Sequence, residues 1–148
     1  MPIPASVVGS TMPTLSVTIE RGRLQLFAKA TGQTDPLYTD VEAAQAEGHP
    51  DLPVPPTFLF GLELEQPDPF RWITDLGVDM SSVLHGSQSF TYEQLAFAGE
   101  TLESTSTITD VHAKKDGALE FLTRRSEITR QGDPIATLEQ VIVIRNAA

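Results

Sequence analysis

Residues 56–65, PTFLFGLELE, decide how the rest of the chain has to be arranged. Proline is favourable in the first turn of a helix and Pro67 stops a helix from continuing, so this stretch predicts a helix. Its side chains are apolar nearly all round, and a helix of that kind has to be buried. We therefore expect the other elements of the chain to be built around it.

Two shorter helices are predicted on the N-terminal side of this stretch. In IERGRLQLFAKA, residues 19–30, apolar side chains recur at helical spacing, and Gly32 follows where a helix would stop. Thr39 and Glu42 match a Thr-x-x-Glu capping box, which predicts a second helix over residues 39–47. The loop between these two helices should therefore be held at both ends.

A change of periodicity marks the C-terminal half. Stretches rich in β-branched and apolar residues alternate with turn signals such as KKDG and RQGD. They predict four mostly antiparallel strands, over residues 83–92, 101–113, 118–130 and 134–145. QVIVIR is apolar on both faces and belongs inside a sheet, whereas TLESTSTITDV is expected to expose a Thr and Ser face. Helices followed by a long antiparallel sheet indicate an α+β fold in which the sheet wraps the buried helix.

Composition narrows the classes of function. The chain has 148 residues, 40% of them hydrophobic, which predicts one domain over residues 1–148, with residues 1–15 loosely ordered. The formal net charge of −10 would repel a phosphate backbone, so nucleic acid is not an expected partner. The absence of cysteine excludes disulfides and thiolate catalysis.

The opening segment MPIPASVVGSTMP lacks the basic region and the apolar run of an export signal. No later window approaches the ~20 apolar residues that a membrane-spanning helix needs. We therefore expect a cytoplasmic protein without a membrane partner.

Six short motifs carry a resemblance to a known family. They are FAKATG, VPPTF, LHGSQSFTY, AGETL, TDVHAKKDG and VIVIR, in the family's order over roughly residues 17–145. On these motifs the chain resembles the MaoC-like hot-dog hydratases and dehydratases, in particular their N-terminal, FAS1-like dehydratase branch. The resemblance implies a hot-dog fold, in which an antiparallel sheet wraps a central helix.

The loop between the first two helices departs from this family's pattern. Active members carry Gly-Asp-x-Asn-Pro-x-His there, whereas residues 32–38 read GQTDPLY. Gln33 thus takes the aspartate position, Asp35 the asparagine position and Tyr38 the histidine position. An amide does not titrate and a phenol stays protonated up to about pH 10. Since each missing acid–base group costs ~10²–10⁴ in rate, we expect this pair to be close to inert.

Asp35 and His85 are weaker candidates for proton transfer. An aspartate before proline commonly fixes a turn through its side chain, and we favour that role for Asp35. His85 opens a strand in LHGSQ, where it either faces a thioester channel or bonds to backbone. Two other histidines have a carboxylate nearby in sequence, as His49 with Asp51 and His112 with Asp110. Neither pair has metal-ligand spacing, and no metal site is predicted.

Substrate contacts are predicted at Pro56, Thr57, Phe58 and Gly86. The resemblance implies that the first free N–H groups of the buried helix, near Thr57 and Phe58, suit a thioester carbonyl oxygen. The alternative is a well-capped core helix. No cofactor is expected beyond the coenzyme A or phosphopantetheine of the substrate itself. The basic doublets Lys114-Lys115 and Arg124-Arg125 support binding of its phosphates only weakly.

Three functional hypotheses follow. The leading one is an acyl-thioester-binding subunit of an (R)-specific 3-hydroxyacyl-thioester dehydratase or 2-enoyl-thioester hydratase, in a homodimer or in a heterodimer with a MaoC-like catalytic subunit. The second is a self-sufficient enoyl-CoA hydratase that uses another pair, such as His85 and Asp35. The third is a non-catalytic hot-dog dimer that binds acyl thioesters.

Overall fold

A five-stranded antiparallel sheet dominates the computed structural model, which describes residues 2–146. The strands are β1 (Leu15–Thr18), β2 (Val83–Tyr92), β3 (Thr101–Lys114), β4 (Leu119–Arg130) and β5 (Asp133–Arg145). Their order is β1-β3-β4-β5-β2, and every neighbouring pair is antiparallel. The predicted α+β class is confirmed, and β5, which contains QVIVIR, lies between two other strands as expected.

Short helices precede and interrupt the strands. The α-helices are α1 (Arg21–Thr31), α2 (Val41–Ala46) and α3 (Arg71–Thr74), and 3₁₀ helices span Ala5–Val7, Pro36–Tyr38, Phe58–Glu65 and Met80–Ser82. Helix α1 ends at Gly32, whose φ of 73° is the left-handed conformation that glycine adopts easily. No helix in residues 2–146 is long and apolar enough to cross a membrane.

The predicted third helix is the 3₁₀ helix Phe58–Glu65, called the central helix below. A 3₁₀ helix has three residues per turn, so Leu59 and Leu62 lie on one face, and both are buried. Phe60 and Leu64 lie on the other faces and are 39% and 48% exposed. The expectation that this helix is covered on all sides is therefore wrong for the isolated chain.

Two apolar clusters occupy the inner face of the sheet. One surrounds the start of the central helix and includes Leu59 and Leu102, and the other includes Ile73 and Leu122. Between them the inner face carries a polar band that crosses four strands. Its members are Ser104 and Ser106 on β3, Arg124 and Ser126 on β4, Gln140 on β5 and Gln88 on β2. The expectation that β3 exposes its serines and threonines is therefore wrong for the serines, because Ser104 and Ser106 are buried.

The N-terminal segment is fixed to the sheet. Ile3 is buried, and its N–H donates to Glu120 at 2.7 Å. Further along, Gly9 N–H donates to the carbonyl of Ile108, and Met12 N–H to that of Ser106. The expectation of loose order over residues 1–15 is wrong for the described part, residues 2–15, because these backbone groups pair with β3. Residue 1 lies outside the described residues.

Helix α2 is capped by a different residue from the one predicted. Asp40 is its N-cap, and the Asp40 carboxylate accepts from the N–H of Glu42 at 2.9 Å. The capping box assigned to Thr39 is therefore wrong by one residue. Asp and Thr are both good N-caps, so adjacent candidates compete for the position.

Candidate functional site

The loop that matched the family's catalytic motif is a compact turn held by its own side chains. The amide oxygen of Gln33 accepts from the N–H of Asp35 at 3.1 Å, and Asp35 Oδ1 accepts from the N–H of Leu37 at 2.9 Å. Gln33 and Asp35 are exposed, whereas Tyr38 is half-buried. Asp35 therefore fixes the turn, as an aspartate before proline was expected to do.

Tyr38 borders a cavity of about 400 Å³, called the loop cavity below. Its lining includes Tyr38, His49, Pro53, Pro56, Tyr92 and Leu95. The position that matched the family's histidine and the entry to the central helix therefore share one space. Gln33 and Asp35 do not line the loop cavity.

The start of the central helix is not free to donate. Thr57, at a left-handed φ of 73°, donates its N–H to the hydroxyl of Tyr92 at 2.9 Å. The N–H of Phe58 donates to the carbonyl of Pro55 at 3.2 Å, and the Phe58 ring is buried against Phe27. The prediction of free N–H groups at Thr57 and Phe58 is thus wrong here, because turn geometry and a tyrosine hydroxyl occupy both.

His49 is paired differently from the prediction. Its ring packs on Phe97 with centroids 5.4 Å apart, and it lines the loop cavity. Asp51 binds Arg21 instead, with 2.6 Å between Arg21 Nη2 and Asp51 Oδ2. The hydrogen bonds from Arg21 and from the N–H of Leu52 hold the pKa of Asp51 below its usual range. The proposed His49–Asp51 pair is therefore wrong.

His85 lies at a second cavity, of about 230 Å³, called the aromatic cavity below. Its lining includes Phe60, Phe70, Trp72, His85, Arg124 and Ile142. His85 Nε2 lies 3.3 Å from Gln88 Oε1, and the His85 ring meets Phe60 edge-on with centroids 5.5 Å apart. His85 and Asp35 therefore do not share a cavity.

Gly86 serves strand packing. It lies at a register shift of β2 against β5, between His85 and Ser87. A Cβ built on Gly86 would come within 3.0 Å of the carbonyl oxygen of Val141 and of a Val143 methyl group. Gly86 lines neither the loop cavity nor the aromatic cavity.

Arg124 and Glu63 form a buried ion pair that the sequence reading missed. Nη2 of Arg124 contacts Glu63 Oε2 and donates to Gln140 Oε1 at 2.9 Å. Glu63 Oε1 accepts from Ser106 and Ser126 at 2.7 and 2.5 Å. Burial lowers the pKa of the Arg124 guanidinium, and the Glu63 carboxylate raises it. The sequence does contain a signal for the burial of Arg124, because every second residue of β4 faces inward and Arg124 is on that face with Leu122 and Ser126.

The basic doublets therefore differ from each other. Arg124 points inward and is 10% exposed, so Arg124-Arg125 is not a surface pair for phosphates. Lys114 lies at the β3–β4 hairpin, with its ammonium 4.8 Å from the centroid of Phe121. The predicted His112–Asp110 pair is present, with 2.6 Å between Nδ1 and Oδ2.

No group of three or more His, Cys, Asp or Glu side chains in residues 2–146 is arranged to hold a metal ion.

A family model and curated relatives match most of the chain. The family model described as "FAS1-like, dehydratase domain region" matches residues 6–138. A UPF0336 protein from Saccharopolyspora erythraea is 35% identical over 150 residues, which cover 100% of this chain and 95% of the relative.

Solved structures share the fold at low sequence identity. The truncated HadBC (3R-hydroxyacyl-ACP dehydratase) complex from Mycobacterium tuberculosis matches with a TM-score of 0.75 and 21% identity, covering 92% of this chain and 96% of that chain. A MaoC-like dehydratase matches with a TM-score of 0.82 and 19% identity, covering 96% of this chain and 43% of that chain. The hot-dog fold implied by the sequence motifs is therefore confirmed.

Proposed function

We propose, since the chain belongs to the FAS1-like dehydratase family, that it binds acyl thioesters as the non-catalytic subunit of an (R)-specific 3-hydroxyacyl-thioester dehydratase. A partner subunit of the same fold supplies the Asp and His that this chain replaces by Gln33 and Tyr38. The substrate carries coenzyme A or phosphopantetheine, no further cofactor takes part, and the complex works in the cytoplasm.

The loop cavity is the observation that carries the proposal. Its volume of about 400 Å³ falls in the range of small-molecule sites, which are mostly apolar with a few polar groups. Proline, leucine and valine side chains supply the apolar wall, and the polar groups come from Tyr38, His49, Tyr92, Glu93 and Gln94. An acyl group at this wall would lie beside the loop in which the family's acid–base chemistry takes place.

Tyr92 suggests how a thioester carbonyl is received. Its hydroxyl oxygen already accepts the hydrogen bond of Thr57 N–H, so the site is shaped for an oxygen at this point. Tyr92 is 47% exposed, so solvent can take over the hydrogen bond of a displaced hydroxyl. A thioester oxygen that replaces the hydroxyl would keep the N–H paired, so the exchange would cost little.

The positions that match the family's acid–base pair do not supply that pair in this chain. Hydration needs one group that takes a proton from water and another that delivers a proton to Cα. The amide oxygen of Gln33 is engaged by Asp35 N–H, and Gln33 does not line the loop cavity. Asp35 and His85 do not share a cavity, which disfavours the self-sufficient hydratase based on that pair.

The surface around the central helix favours a partner. Phe60, Leu64 and Phe70 are large apolar side chains that are between 39% and 48% exposed. Contiguous apolar surface of this kind commonly marks a protein interface. The HadBC structure is a complex, and we extend that assembly to this chain as either a homodimer or a heterodimer.

Two assays on the purified chain test the proposal. We expect crotonyl-CoA to lose no measurable enoyl absorbance in the presence of the chain alone, while decanoyl-CoA binds with a saturable heat in calorimetry. Leu95→Asp should weaken decanoyl-CoA binding, because it charges the apolar wall, whereas exposed Leu26→Asp on α1 serves as the matched control. Enzyme-like turnover by the chain alone would contradict the proposal, and so would the absence of acyl-CoA binding.

Purification of the native protein identifies the partner. We expect a MaoC-like chain with an intact Gly-Asp-x-Asn-Pro-x-His loop to co-purify, and the complex to hydrate crotonyl-CoA. A homodimer that binds acyl-CoA with neither turnover nor a partner would favour the purely binding protein instead. Light scattering should give at least twice the 16.1 kDa monomer mass.

A further inference from the structure

We infer that Arg130 is a positioning residue for acyl binding, because it holds Leu95 in place as part of the apolar wall of the loop cavity. Arg130 itself does not line the loop cavity. It acts through the backbone of residues 93–98, called the wall segment below. The inference rests on the proposed function, since it concerns the same site.

Leu95 combines an exposed side chain with a fixed backbone. Its side chain is large, apolar and 56% exposed. Its carbonyl oxygen accepts from Nη1 of Arg130 at 3.2 Å, and the same Nη1 lies 2.8 and 2.7 Å from the two carboxylate oxygens of Glu100. Glu100 also accepts from the N–H of Phe97 at 3.0 Å. The ion pair therefore fixes the wall segment at two points, on both sides of Ala96.

The wall segment is also bonded to β5 and to the opposite wall of the loop cavity. The N–H groups of Glu93 and Gln94 donate to the carbonyl of Ile135 on β5 at 2.8 and 3.2 Å. The N–H of Val54 donates to the carbonyl of Ala96 at 2.8 Å, and Val54 lines the loop cavity as Leu95 does. The two walls are thus joined before an acyl group enters.

A wall that is fixed in advance favours binding. A segment that becomes ordered only when the ligand enters loses conformational freedom, and this loss offsets part of the contact. The hydrogen bond from Arg130 removes that cost for Leu95. Its loss should weaken acyl binding about fivefold, which is in the range for the ordering of one side chain.

A direct role of Arg130 in binding the phosphates of coenzyme A is disfavoured. Both carboxylate oxygens of Glu100 already match its charge, and its side chain is only 26% exposed. A phosphate at this place would be repelled by Glu100. The octanoyl thioester of N-acetylcysteamine has no phosphate, so it distinguishes the two roles.

Arg130→Met removes the donor, and Arg130→Lys restores one, since a single nitrogen of Arg130 bonds to both Leu95 and Glu100. In calorimetry, Arg130→Met should bind decanoyl-CoA and the octanoyl N-acetylcysteamine thioester about fivefold more weakly than the natural chain. Arg130→Lys should recover at least half of this loss. Arg125→Met is the matched control, because Arg125 is an exposed arginine on the same strand and should leave both affinities unchanged.

A double-mutant cycle shows whether Arg130 acts through Leu95. Leu95→Ala removes the side chain but keeps the carbonyl, so it should weaken binding by itself. Arg130→Met added to Leu95→Ala should then cost little more, because no leucine side chain remains to be positioned. A merely structural role of Arg130 would weaken binding by the same factor in both backgrounds.

Hydrogen exchange on the natural chain provides a test that needs no variant, and circular dichroism checks that each variant is folded. The N–H groups of Gln94 and Ala98 donate to the carbonyls of Ile135 and Leu52. They should be equally protected with and without decanoyl-CoA, whereas a segment that the ligand orders would gain protection.

The inference is overturned if folded Arg130→Met binds as tightly as the natural chain, or if its loss is undiminished in the Leu95→Ala background. It is also overturned if the loss is confined to decanoyl-CoA, if Arg130→Lys binds no better than Arg130→Met, or if the wall segment gains protection on binding. Failure of the proposed function gives a different result, because the natural chain would then bind neither thioester, and the inference would fall with it.

Discussion

Arg124→Met is the change that tests the buried ion pair most directly. It removes the guanidinium and leaves the Glu63 carboxylate, which is 13% exposed, without its cation. Removing one partner of a buried pair typically costs about 3–5 kcal/mol, because the remaining charge stays poorly solvated. Ser106 and Ser126 still donate to Glu63, so we expect the lower part of this range.

The expected effect on thermal stability follows from chain length. The unfolding entropy near 60 °C is about 2.1 cal/mol/K per residue, which for 148 residues gives about 0.3 kcal/mol/K. A loss of about 3 kcal/mol then lowers Tm by about 10 °C. Urea unfolding followed by far-ultraviolet circular dichroism gives the free energy by linear extrapolation, and an equal slope m for both proteins shows that the surface exposed on unfolding is unchanged.

A double-mutant cycle provides the control. Glu63→Gln with Arg124→Met removes both charges, while the amide oxygen that the first change introduces can still accept from the two serine hydroxyls. We expect the double variant to recover about half or more of the loss, since no unpaired charge remains. Arg125→Met, at the exposed neighbouring position, should stay within about 0.5 kcal/mol of the natural chain. Equal losses for Arg124→Met and Arg125→Met would refute the argument, as would a double variant less stable than Arg124→Met.

Three further outcomes are expected. Asp51→Asn should lower the free energy of unfolding at pH 7, because Arg21 holds the pKa of Asp51 below its usual value. The difference from the natural chain should shrink as the pH falls from about 4 through the lower pKa of the folded state. A difference that does not depend on pH would contradict the pairing. Tyr92→Phe should raise decanoyl-CoA affinity several-fold by freeing Thr57 N–H, and calorimetry showing weaker binding would count against an exchange of oxygens there. Gly86→Ala should lower the free energy of unfolding, measured in urea, by about 1–3 kcal/mol, because the added Cβ would be too close to β5. An unchanged urea midpoint would contradict this and show that β5 moves to accommodate the methyl group.

Periodicity was sufficient to predict four of the five strands, since strands of 10 to 14 residues show their period clearly. Strand β1, with four residues, was not predicted, because so short a stretch shows no period. The same approach failed for the central helix, because an apolar stretch has no polar face to show which side is exposed. The short helix α3, Arg71–Thr74, was not predicted at all, as four residues give no helical pattern. Thr39 and Asp40 were confused because both are good caps.

The candidate site was predictable only in part, for a physical reason. The family resemblance assigned Tyr38 and Pro56 to one site, and both side chains line the loop cavity. The partner of Thr57 N–H is Tyr92, which is 35 residues away, and no local pattern indicates it. Glu63 and Arg124 are 61 residues apart, and each looked like an ordinary charged residue in its own segment. Such pairs depend on the register of the strands and on the position of the helix against the sheet, and a local sequence pattern specifies neither.

The polar band gives these separate findings a common cause. The polar groups of the inner face lie in one row, where Arg124 lies between Ile108 on β3 and Gln140 on β5. Most of them have hydrogen-bond partners within residues 2–146, and Ser104 Oγ and Arg124 Nε are buried without one. Glu63 reaches this row from the central helix, so the ion pair ties that helix to the middle of the sheet. The two apolar clusters, and with them the loop cavity and the aromatic cavity, are thereby kept on opposite sides of a polar boundary. A long apolar chain lying in one cavity would have to cross this boundary to reach the other.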